Sequence, residues 1–151
     1  MRAPISQKPV TRQLATGLVI AADNTRLTLN DIPNDLAEFR LIVAVTAVAG
    51  TTPTLDAILQ DSPDEGQTWL YTGNKFAQMT GVDQRQISLS RERHAAQAAA
   101  ETSAANPAIG AAAAAVNGPL TRKMALFFRL GGTVGPSFTV NVFLIGNVPA
   151  S

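Results

Sequence analysis

Residues 54–70, TLDAILQDSPDEGQTWL, constrain the fold more than any other stretch. Leu55, Ala57 and Leu59 fall on one side of an extended chain, and Asp56, Ile58 and Gln60 on the other. Successive side chains of a β-strand point to opposite faces, so this alternation predicts a half-buried strand. Asp61-Ser62-Pro63-Asp64-Glu65-Gly66 follows. Proline fixes φ, Asp and Ser hydrogen-bond to their own backbone, and Gly reaches positive φ, so the stretch predicts a turn. Trp69 then opens a new apolar run. The expectation is a β-hairpin with an acidic tip and the chain's only tryptophan packed beneath it.

The same period recurs along the chain. Residues 13–22 and 25–30 read as two short strands joined at Asp23-Asn24, the second with Leu27 and Leu29 on one face. Residues 38–49 form the best strand. Phe39, Leu41, Val43, Val45 and Ala47 share one face, and Arg40, Ile42, Ala44, Thr46 and Val48 the other. Both faces are apolar after Arg40, which predicts a central strand covered by a second sheet on one side and a loop or neighbour on the other. Short strands are expected at 69–71 and 76–79 around Gly73-Asn74, and at 85–90 with Ile87 and Leu89 inward. The closing strands are 124–130, with Met124, Leu126, Phe128 and Leu130 on one face, and 138–145, with Phe138, Val140, Val142 and Leu144 opposite Asn141. Gly50 to Pro53, Gly131-Gly132 and Gly135-Pro136 read as connections. About eight short strands between turn signals predict an all-β fold, a single antiparallel β-sandwich of jelly-roll type.

Two segments stand outside that pattern. Residues 1–12 contain Pro4 and Pro9 with Arg2, Lys8 and Arg12, and read as an extended N-terminal arm before a sandwich domain over 13–151. Such an arm is either a loose terminus or a strap that orders on a neighbouring subunit. Residues 91–118, RERHAAQAAAETSAANPAIGAAAAAVNG, form an Ala-rich insertion before the last two strands. Alanine favours helix, but Asn106-Pro107 and Gly110 interrupt it, so a partly helical or irregular insertion is expected. It reads as a surface loop or as an excursion that faces a partner. The second reading is preferred, because small side chains allow close approach and low-charge segments solvate poorly. Arg2, Lys8, Arg12, His94, Ala99, Ile109 and Val116 are therefore the expected interaction residues.

Groups that could carry chemistry are few. The chain has one histidine, His94, and no cysteine. His94 lies in a charged, Ala-rich run where a solvated residue is the simpler reading than a general base. The usual Cys/His zinc sets, a Gly-x-Ser-x-Gly elbow and a phosphate loop are not in the sequence. Asp61, Asp64 and Glu65 form a carboxylate cluster that could hold Ca²⁺, although turn chemistry alone accounts for them. A glycosidase pair would need sugar-stacking aromatics, and aromatic residues make up 5% of the chain. Trp69, Tyr71 and Phe76 read as a ligand platform or, more simply, as strand packing. The net charge of +1 gives no electrostatic case for nucleic acid or an anionic membrane. No cofactor is expected, and no apolar run approaches the ~20 residues of a membrane helix. With no N-terminal signal pattern, synthesis in the cytoplasm of a host cell is expected. Hydrophobic residues make up 46% and charged ones 15%, which predicts a neutral surface that packs on partners.

Leu59-Gln60-Asp61-Ser62-Pro63-Asp64-Glu65-Gly66 with Trp69 resembles the Q-D-S-P-D-G…W hairpin of small virion proteins of tailed phages. Arg129-Leu130-Gly131-Gly132 and residues 137–146 resemble their later strands. The chain departs from the pattern at Glu65, inserted before the glycine. The resemblance implies a β-sandwich or jelly roll on a capsid, neck or tail, without enzymatic activity. Within that class a capsid decoration (cement) protein is expected, a clamp at capsomer junctions, in a form that is often trimeric. Its partners would be further copies of itself and the major capsid protein or another virion protein, and its place the virion. A neck or tail component is the nearest alternative. A carbohydrate- or receptor-binding module using the hairpin is the other.

Overall fold

The structure, a computed structural model, describes residues 7–30, 32–33, 35–36, 38–90, 120–121 and 123–149. These residues form no helix and build a six-stranded antiparallel sheet. The strands are β1 (Gln7–Ile20), β2 (Thr25–Leu29), β3 (Glu38–Ser62), β4 (Leu70–Lys75), β5 (Gln84–Ser90) and β6 (Lys123–Pro149).

Two strands dominate. β3 has 25 residues and β6 has 27, and they pair from Glu38 opposite Asn147 to Ser62 opposite Lys123. The pairing shifts register between Val45 and Thr54, which divides this ribbon into two halves. In the first half β1 flanks β6 and β5 flanks β3. In the second, β2 flanks β6 and β4 flanks β3. The order β1-β6-β3-β5 therefore passes along the ribbon into β2-β6-β3-β4.

Glycine makes the bend possible. Gly50 and Gly132 have φ of 100° and 120°, a backbone that side chains resist. Each also meets the other strand's proline. A Cβ on Gly50 would lie 2.7 Å from Pro136 Cα, and one on Gly132 would lie 2.9 Å from Pro53 Cα. At each approach the glycine's missing side chain leaves room for the other strand's proline backbone.

The inward residues of both halves belong to one buried cluster. Leu41, Val43, Val140 and Val142 from the first half join Leu55, Leu59, Leu126 and Phe128 from the second. The expected inward faces at 38–45, 85–90 and 138–144 are buried, whereas 124–128 and 55–60 are buried on both faces, so the strand expected to be half-buried at 54–60 is covered on both sides. β3 is central along its first half, as the doubly apolar pattern predicts.

Several boundaries differ from the sequence reading. About eight strands become six because 38–49 and 54–62 are one strand, as are 124–130 and 138–145. The glycines and prolines read as turns are bulges within continuous strands. Residues 76–79 form no strand. Met79 makes an isolated bridge to Leu55, and Phe76 donates its N–H to the Ala57 carbonyl. Gly73-Asn74 lies within β4 rather than at a turn. The described part of the expected arm, 7–12, is extended but belongs to β1, paired with β6 of its own chain. Pro9 is tolerated there because β1 is an edge strand. Arg2, His94, Ala99, Ile109, Val116 and the Ala-rich insertion at 91–118 lie outside the described residues.

Candidate functional site

The hairpin between β3 and β4 forms as its residues dictate. Gln60 and Asp61 pair with Tyr71 and Leu70. Ser62 Oγ donates to Asp64 Oδ1 at 2.8 Å and accepts from the Gly66 N–H at 2.7 Å. Asp64 Oδ1 also accepts from the Thr68 N–H at 2.7 Å. Hydrogen bonds from the Thr68 side chain and backbone, then from Ser62, hold the Asp64 carboxyl below the usual carboxylate range. Asp61 Oδ2 faces elsewhere and accepts from the Thr121 N–H at 2.9 Å. Glu65 stands exposed with φ of 60°. The turn thus uses Asp61 and Asp64 as backbone acceptors. Among the described residues, no three acidic, histidine or cysteine side chains are grouped to hold a metal ion.

Trp69 is half-buried beside this turn, and the Arg26 guanidinium lies 5.2 Å from its ring centroid. Arg26 also sits 5.4 Å from the Phe127 ring and donates from Nε to Gln60 Oε1 at 3.0 Å. A cation over a tryptophan face is attractive. It lies over one face of the ring. Phe76 is fully buried in the core, so the three aromatics form no shared platform.

Sequence reasoning missed a buried charged pair. Asp56 and Lys75 are 1% and 3% exposed, with Lys75 Nζ 3.6 Å from Asp56 Oδ1. Gln78 Nε2 donates to Asp56 Oδ2 at 3.0 Å. The available signal was Asp56 itself, a charge inside the apolar run 54–59. Its partner lies across the hairpin and follows from register, not from spacing.

The widest feature is the outer face of the β1-β6-β3-β5 half. Directly paired residues share a face. Thr11, Ile145, Arg40 and Ser88 therefore make one row across the sheet, and Gln13, Phe143, Ile42 and Gln86 the next. Nearer the bend, Val19, Thr139 and Ala47 align, with Val19 59% exposed. Residues 41–55 and 130–149 contain no Asp, Glu, Lys or Arg. The charges from β3 on this face are Glu38 and Arg40, neighbours at its far end, and Arg40 donates to Gln86 Oε1 at 3.0 Å. Two hollows open here. One of about 490 Å³ is lined by Pro9, Glu38, Arg40, Ser88, Ile145 and Asn147, among others. The second, about 360 Å³, is lined by Arg40, Ile42, Gln84, Arg85 and Gln86.

Lys8 and Arg12 alternate with the outward Pro9, Thr11 and Gln13, so they share the side of buried Val10. The structure does not bring these two expected interaction residues onto the neutral face. No family model, curated protein or solved structure matches the chain.

Proposed function

We propose that this chain is a non-enzymatic structural protein of a tailed-phage virion, and within that class a capsid decoration protein that binds where capsomers meet. In this reading the bent sheet closes as a jelly-roll-like β-sandwich, its two four-stranded halves packed across the shared core. The observation that carries it is that both segments of the phage resemblance lie along the one β3–β6 ribbon. Leu59 to Ser62 pair with residues 126 to 123, and the later segment begins three residues on, with Arg129 opposite Asp56 and Leu130 opposite Leu55. A clamp bound across a subunit boundary makes separation under internal pressure break many contacts together.

Saturable co-sedimentation of the labelled protein with capsids built from the major capsid protein of the same particle tests this. Binding at a fixed ratio to capsomers is expected. Binding at the portal end alone would transfer the chain to the neck or tail. Absence of binding to either would overturn the virion reading. Quenching of Trp69 fluorescence by glycans in that case would favour the carbohydrate module, using the half-buried ring beside exposed Leu70.

A further inference from the structure

We propose that the outer face of the β1-β6-β3-β5 half is the docking surface for a second copy of this chain, face to face about a twofold axis. The inference does not depend on the virion reading. It rests on area, charge and chemistry.

Outward positions run along β3 from Glu38 to Ala49, about 36 Å of extended chain, with β1, β6 and β3 side by side throughout and β5 beside them only as far as Ala44, giving about 600 Å². A stable complex buries about 800 Å² on each partner. The face thus supplies about three quarters of what one side of a standard complex buries.

Its charge points to the occupant. Residues 42–49 of β3 bear no charge, and interface cores are depleted of charge; Glu38, Arg40 and Arg85 stand around the two hollows. A charged partner would lose hydration against this surface with no opposite charge to answer it. A second copy brings neutral against neutral. Gln13, Gln86, Ser88 and Thr139 each donate and accept, so the pattern can satisfy its own copy, as an isologous contact requires. Phe143, Ile42 and Ala47 then pack in the middle, and exposed Val19 is withdrawn from water at the bend end. The two hollows lie on this face, where side chains of the facing copy fill them.

Light scattering of the purified full chain gives the test. The native protein is expected at twice the 15.8 kDa chain mass at micromolar concentration. Ile42→Lys and Thr139→Arg, each placing a charge in the neutral part, are expected to give monomers with an unchanged circular dichroism spectrum. Gln67→Lys, in the exposed turn before β4, is expected to leave the dimer intact. Should Ile42→Lys fail to fold, the half-exposed Thr139 site carries the test alone. A monomeric native chain, or a folded Thr139→Arg variant that remains a dimer, overturns the proposal. A native monomer that binds capsids sinks this interface and spares the virion reading. A dimer that ignores every virion part does the reverse.

Discussion

Val134 holds φ of 57° with 81% of its surface exposed, in the part of β6 that crosses the bend. A β-branched residue resists this left-handed backbone, and here no packing rewards it. Val134→Asn is expected to raise stability by about 1 kcal/mol, seen as a higher urea midpoint at unchanged slope. A lower midpoint would show that Val134 makes a contact that matters to the fold. Asp23 is the residue whose protonation is read most simply. Burial raises its pKa, but hydrogen bonds from Arg129 and from the Leu130 and Asn24 N–H groups outweigh that, and the carboxyl lies below its ordinary value. A lowered folded pKa stabilises above the unfolded value and loses that stabilisation as pH falls through the folded one. The pair is partly exposed and screened, so Asp23→Asn is expected to cost only about 0.5–1 kcal/mol at pH 7. The variant's stability is expected to fall less steeply than the native protein's between neutral pH and pH 3, as followed by thermal melts. Equal slopes would remove Asp23 from the acid response.

At the scale of elements, the β3–β6 ribbon decides the architecture. Gly132→Ala pushes a methyl toward Pro53 in a backbone that alanine resists, and is expected to cost more than about 2 kcal/mol. A denaturant midpoint within error of the native value would mean the bend does not need glycine there. The same glycines explain what the sequence could and could not reveal. Alternation placed the inward face from Phe39 to Val45, because period 2 is local, but not Ala47, which the register shift after Val45 turns outward, nor the second face of 54–60, which is buried too. Gly50 to Pro53 reads equally as a turn or as bulges in an unbroken strand, and only long-range pairing with 131–136 separates the two. The Ser62–Gly66 turn was legible because its hydrogen bonds close within a few residues. The Asp56–Lys75 pair was not, since it depends on how β4 registers against β3. Residues 7–12 looked like an arm because proline and basic residues mark both arms and edge strands.

For the molecule as a whole, the neutral outer face is the surface we assign to a second copy. Its existence was partly readable in 38–49, whose two apolar faces called for cover on both sides. Its breadth was not, because it is assembled from β1, β3, β5 and β6. Two four-stranded halves sharing one core leave such a face outward. In the proposed reading the molecule acts by contact, held to what it binds over a broad area. The measurement that bears most closely on this account is the temperature at which capsids disrupt, with and without saturating protein. A decoration protein that spans capsomer junctions is expected to raise it by several degrees, and Ile42→Lys protein to raise it less. Bound protein that leaves the disruption temperature unchanged would contradict the clamp.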